Sequence, residues 1–237
     1  YNSQAFFSQL LQGQWNPQIL KERIEAQRYL KQATANHFFE LLLWGQMPQR
    51  LHGSDETDWI AYLRDYIDTY LDKDMRATER IGSLNDYKKV LRLAGNQVGQ
   101  LVDYTNMASA VGIHRHTVKE YLSILDESLL GFRLPAFSHS SKRRISKSEK
   151  IFLADNGIAY YFMDLPSATA LGKSGDIGHL YENAWISEFR KYASLMDAPV
   201  TNSYWRLTGA NPPEVDLVLE HRGLTIPIEI KYQSQLS

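Results

Sequence analysis

Asp103-Tyr104-Thr105-Asn106-Met107-Ala108-Ser109-Ala110-Val111-Gly112-Ile113-His114-Arg115-His116-Thr117-Val118-Lys119-Glu120-Tyr121 is the stretch that decides the fold. Met107, Val111, Ile113, Val118 and Tyr121 fall where two helices crossing at a steep angle need apolar packing. Ala108 is small where they approach, and Gly112 stands at a turn whose backbone conformation most side chains resist. The spacing predicts a helix over 103–111, a tight turn, and a second helix over 114–126. A helix over 86–98 precedes this pair. Leu129 to Phe137, apolar, aromatic and interrupted by Pro135, follows it as a strand or wing. The expectation for residues 81–140 is a winged helix-turn-helix.

If this unit binds DNA, the second helix reads it, with Arg115, His116 and Lys119 among the exposed side chains. Lys142, Arg143, Arg144, Lys147 and Lys150, opposed only by Glu149, make the most basic stretch of the chain. It reads either as a phosphate-tracking arm or as a solvated linker. A winged helix serves equally as a packing or protein-docking module, so both roles stay open.

Residues 1–80 read as helical, with apolar positions such as Phe6, Leu10, Ile19, Ile24, Leu30, Phe38 and Leu42 recurring three and four apart. The longest helix starts behind Ser54 and Asp55, runs to about Arg76, and carries Ile60, Leu63, Ile67, Tyr70 and Leu71 on one face. After residue 141 the pattern turns α/β. A short strand over 150–154 and a short helix over 158–163 come first. A long helix over 178–196 follows, then strands over 203–207, 215–220 and 224–232, the last two joined at His221-Arg222-Gly223.

The acids of this last region carry the candidate chemistry. Asp216 lies in one strand and Glu229-Ile230-Lys231 in its partner, and alternation puts Glu229 and Lys231 on one face. Two carboxylates beside an ammonium on an otherwise apolar sheet are costly unless mutually compensated or bound to a cation. Oxygen donors of this kind suit magnesium or manganese, with Lys231 placed to orient or deprotonate a water. Glu182 on the preceding helix is a third acid.

Composition narrows the alternatives. The chain has 237 residues, net charge −1, no cysteine and seven histidines, so disulfide frameworks and thiolate metal sites are excluded. No run approaches the roughly 18 apolar residues of a membrane span, and the expectation is a cytoplasmic protein with no membrane partner. Gly172-Lys173-Ser174 lacks the first glycine and the leading strand of a phosphate loop.

Glu182, Asp216 and Glu229-Ile230-Lys231, in the order helix, strand, strand, resemble the PD-(D/E)xK nuclease superfamily. More closely, Tyr62 to Lys231 resembles the family called domain of unknown function 4143. The likeness rests on Tyr62-Leu63-Arg64-Asp65-Tyr66, Tyr70-Leu71-Asp72-Lys73-Asp74, Phe132-Arg133-Leu134-Pro135, Asp155-Asn156-Gly157, Gly178-His179-Leu180-Tyr181-Glu182-Asn183, Glu214-Val215-Asp216 and Pro227-Ile228-Glu229-Ile230-Lys231.

The resemblance implies an α+β multidomain fragment. Its parts are the tail of an AAA+ lid plus a linker helix (1–80), a winged helix (81–140), and a C-terminally truncated restriction-endonuclease-like α/β domain (141–237). It also implies an AAA+ module upstream in the same chain as partner, with ATP bound there, and DNA as a further partner. The metal ligands would be Glu182, Asp216 and Glu229, and the catalytic set those three with Lys231, hydrolysing phosphodiesters with Mg2+ or Mn2+. The alternative is a non-catalytic docking or sensor module of the ATPase.

Overall fold

The structure, a computed structural model, describes residues 3–13, 42–49, 56–77, 81–138, 148–163, 176–207, 209 and 212–232. The helical positions Ile19, Ile24, Leu30 and Phe38, the cations Lys142, Arg143, Arg144 and Lys147, and Gly172-Lys173-Ser174 lie outside the described residues.

The order of elements is α1 (Ser3–Leu11), α2 (Glu56–Ala77), α3 (Leu84–Asn96), α4 (Tyr104–Val111), α5 (Arg115–Glu127), β1 (Gly131–Leu134), β2 (Lys150–Leu153), α6 (Asn156–Met163), α7 (Ile177–Ser194), β3 (Thr201–Arg206), β4 (Glu214–His221) and β5 (Leu224–Ile228). The fold is mixed α/β with two small antiparallel sheets, β1-β2 and β3-β4-β5.

Local chemistry sets the helix ends. Ser83 Oγ accepts from the Asp86 N–H at 3.3 Å and caps α3. Asp103 Oδ1 accepts from the N–H groups of Thr105 and Asn106 at 3.0 and 2.9 Å, satisfying two donors that the first turn of α4 leaves open. Gly112 ends α4 in the left-handed region, φ 81°, and its N–H closes on the Ala108 carbonyl. That conformation ends α4 and lets α5 start three residues later. Arg222 (φ 48°) and Gly223 (φ 81°) form the two-residue hairpin between β4 and β5.

Two cores result. Trp59, Leu63, Ile67 and Leu71 on one face of α2 pack with Tyr87, Val90 and Leu91 of α3, Val118, Tyr121 and Leu122 of α5, and Ile158 and Phe162 of α6. The second core gathers Ile186 of α7 and Leu217 and Leu219 of β4 with Phe7, Leu10 and Leu11. The first helix, grouped by sequence with residues 1–80, thus packs in the C-terminal core. Phe7 lies 5.7 Å, ring to ring, from both Phe189 and Tyr192.

The ribbon β1-β2 stands between the cores. Gly131 pairs with Leu153 and Leu134 with Lys150, so the ladder crosses the boundary drawn at 140/141. Side chains alternate along a strand, and Ile151 and Leu153 face the first core while Phe152, stacked on Phe132 at 5.6 Å, faces the second. Past β1 the chain reaches the other sheet, where the Tyr204 N–H donates to Pro135 O at 3.0 Å. Among the described residues no helix is long and apolar enough to cross a membrane.

Candidate functional site

Lys150, the first residue of β2, lies where an apolar strand enters the interior and is only 3% exposed. A buried ammonium needs charged partners, and two acids supply them. Its Nζ donates to Glu182 Oε1 of α7 at 2.9 Å and pairs with Glu214 Oε1 of β4. Its charge also lies 5.9 Å from the centre of the Tyr204 ring, a cation–π approach. One side chain thereby ties together the ribbon, the long helix and the C-terminal sheet. Glu214 also meets Arg206 at 3.3 Å.

Burial dominates the electrostatics. It pushes the Glu182 carboxyl up to about 7, against the lowering pull of Lys150, with Asp216 and Glu214 adding to the rise. Burial pulls the Lys150 ammonium down, but Glu182 and Glu214 outweigh it and the net direction is upward. Asp216 is raised by burial, opposed first by the Ile230 N–H and then by Lys150, with Glu229 and Glu214 raising it further.

Of the acids expected from sequence, Glu182 responds to Asp216 and Asp216 to Glu229, and the buried ammonium paired with Glu182 is Lys150. Asp216 Oδ2 accepts the Ile230 N–H at 2.7 Å. This bond takes the place of a ladder bond beyond Leu217↔Ile228, the last register pair of β4 and β5. Glu229 and Lys231 thus lie past the end of β5. They pair with each other at 3.3 Å, with side chains 48% and 64% exposed. Among the described residues, no three acidic or histidine side chains are placed to share a cation. Lys150 holds Glu182 and Glu214 in ion pairs, and Glu214 shares Arg206 as a second cation.

On the outer side of α5, Arg115, His116 and Lys119 are exposed, as the pattern predicted for the second helix of the pair. Arg115 and Lys119 both approach the Tyr104 ring, at 6.0 and 5.4 Å, and His116 Nδ1 is 3.6 Å from Glu120 Oε2. Beneath this surface Arg133 acts as a clamp. It donates to Asp126 Oδ2 through Nε (2.8 Å) and Nη2 (2.6 Å), to Ser123 Oγ at 3.3 Å, and to Tyr104 Oη at 3.1 Å. Glu149 Oε2 accepts from the same guanidinium at 3.4 Å and from Tyr104 Oη at 2.9 Å. Burial lowers the basicity of Arg133, but Asp126 and its other partners reverse this and the net direction is upward.

No sequence pattern gives Lys150, Glu214, Arg133 or Asp126 a place in this charged network. Lys150 counted only as one of five cations in a basic stretch. The available signal was a lysine directly before Ile151-Phe152-Leu153, where an unpaired ammonium would be untenable. Other phrases behind the family likeness meet in a buried amide network. Asn156 Nδ2 donates to the Leu42 and Leu180 carbonyls at 2.8 and 2.9 Å. Asn183 donates to Asn156 Oδ1 at 2.7 Å and accepts the Leu153 N–H at 2.8 Å.

Two known families match parts of the chain. Residues 177–237 match the domain of unknown function (DUF4143), commonly the C-terminal part of AAA-ATPase-like proteins. The stretch from Tyr62 to Met163, which sequence phrases assigned to that same family, lies within a different match. Uncharacterized proteins of Mycobacterium bovis and Mycobacterium tuberculosis are each 26% identical over 195 residues. The similarity covers 82% of this chain and 43% of theirs, so the chain spans less than half the length of these relatives. No solved structure matches. The longer match runs over residues 35–169, more than half of the chain, and the protein belongs to the family described as domain of unknown function (DUF8612).

Proposed function

We propose that this chain is the nucleic-acid-associated part of an AAA-ATPase-like protein, in which residues 81–153 work as a winged helix with α5 against duplex DNA. The observation that carries this reading is the exposed row Arg115, His116 and Lys119 on the outer side of α5, set at its angle by the left-handed turn at Gly112. Cationic side chains at the N-terminal end of such a helix contact phosphates and base edges. The basic residues between β1 and β2 in sequence would extend that contact along the backbone. The AAA+ module, with its ATP, belongs in this proposal to the part of the longer relatives that the match leaves uncovered.

Fluorescence anisotropy of a labelled duplex, titrated over a range of salt, tests it. Arg115→Ala and Lys119→Ala should each weaken binding, and each lost phosphate contact should lower the salt slope by about 1. Affinity unchanged in both variants, or no duplex binding at low salt, would refute the reading.

A second reading, hydrolysis of the bound strand at Asp216 with Glu182, Glu229 and Lys231, is favoured by the field these acids share. Against it stands the fixed ammonium of Lys150. Incubation of duplex and branched DNA with Mg2+ or Mn2+ decides the matter. Cleavage abolished by Asp216→Ala and by Lys231→Ala would establish a nuclease, and no cleavage would leave the acids as a cross-link between elements.

A further inference from the structure

A cleft of about 470 Å3 opens between α2, α3 and α6, and it shares no lining residue with the Lys150 cluster. Two helices line it with the same spacing. Arg64, Ile67, Asp68 and Leu71 come from α2, and Asn85, Lys88, Lys89 and Arg92 from α3, each set at i, i+3, i+4 and i+7. That spacing is one face of a helix. Tyr161 and Phe162 of α6 close the end, their rings edge to face at 5.5 Å.

The charge balance of this cleft is unlike that of the protein. The whole chain carries −1, yet the lining holds four cationic side chains against the single carboxylate of Asp68. Like charges at i+3 and i+4 repel, so Lys88, Lys89 and Arg92 on one face cost α3 stability. Lys88 pairs with Asp68 at 2.6 Å and Lys89 with Asp86 at 3.0 Å. Arg64 and Arg92 are exposed. A concave wall with an excess of one sign focuses its field on the ligand that enters, and the volume falls within the range of about 300–1,000 Å3 that holds small molecules.

We infer that this cleft binds an oligophosphate anion, its phosphoryl oxygens taken by Arg64, Lys88, Lys89 and Arg92. Two arginines and two lysines from facing helices suit a chain of adjacent phosphates: guanidinium forks match pairs of oxygens, and ammonium groups supply point charges between them. The half-buried ring of Tyr161 offers a surface for a base if the anion is a nucleotide.

Calorimetric titration of the full chain with inorganic tripolyphosphate, ATP and a short duplex tests this. Tripolyphosphate or ATP should bind with a dissociation constant below about 1 mM. Lys89→Gln and Arg92→Gln should each weaken binding by about tenfold, as expected when one charge-assisted contact is lost. Both positions are exposed, and thermal unfolding of each variant should coincide with that of the parent. Arg64→Gln, on the other helix, provides an independent check. Arg115→Ala should leave the tripolyphosphate and ATP titrations unchanged and weaken the duplex alone, which separates this site from the proposed DNA surface. Tyr161→Ala weakening ATP and not tripolyphosphate would identify a nucleotide, and equal effects would identify an inorganic oligophosphate. Absence of binding by both anions, binding indifferent to all three charge variants, or binding of the duplex alone through these residues would overturn the inference.

Discussion

Replacing Lys150 by methionine removes the ammonium and keeps the length and apolar stem of the side chain. The Lys150 and Glu182 side chains are only 4% and 12% exposed, so the variant leaves a buried carboxylate without its cation. Breaking a buried pair from one side costs about 3–5 kcal/mol. Protonation of Glu182 limits that cost and makes it depend on pH. Burial already pushes the Glu182 carboxyl from 4.5 to about 7, a difference equivalent to about 3 kcal/mol. A carboxyl raised on folding binds its proton more tightly in the folded chain. Its contribution is therefore full below the unfolded value, and it is lost as pH rises through about 7. Without Lys150 the folded value rises further, which deepens the loss on the alkaline side. Urea unfolding followed by circular dichroism should show Lys150→Met close to the parent at about pH 5 and less stable by about 3 kcal/mol at about pH 8. Glu182→Gln, which leaves Lys150 paired with Glu214, should cost less than about 1 kcal/mol at the higher pH. A Lys150→Met penalty that is absent at pH 8, or equal at the two pH values, would refute the assignment of Lys150 as the fixed counterion.

Arg133→Ala takes the two-pronged donor from the half-buried Asp126 carboxylate and should lower stability by about 1–3 kcal/mol in the same unfolding assay; Arg133→Lys, which cannot form the two-pronged contact, should recover only part of this. Gly112→Ala puts a Cβ at φ 81° and should cost about 1–2 kcal/mol, read as a lower thermal midpoint. Asn183→Leu leaves the Leu153 N–H and Asn156 Oδ1 without their partner, and a loss of about 2–4 kcal/mol is expected from denaturant titration.

What the sequence made legible was local. The helix pair around Gly112 is found within a residue or two of its expected limits, because apolar spacing and the cap at Asp103 act within a few positions of each other. Much of the candidate site was not local. Lys150 meets Glu182 across 32 residues, and nothing in a basic stretch marks which cation turns inward. The pattern predicts a last strand over 224–232, whereas the Asp216 carboxylate takes the Ile230 N–H and the ladder stops at Ile228. The boundary at 140/141 followed the change from helical to α/β pattern, whereas the pairing of Gly131–Leu134 with Lys150–Leu153 ignores it.

That ribbon is a party wall. Ile151 and Leu153 press one way and Phe152 the other, so neither half of the chain can be excised without laying bare a hydrophobic surface. Two pieces co-expressed as residues 1–138 and 148–237 should travel together through a sizing column, and recombinant halves made separately should precipitate. Transfer of either half alone to another protein would carry the same penalty, which favours their inheritance as a pair.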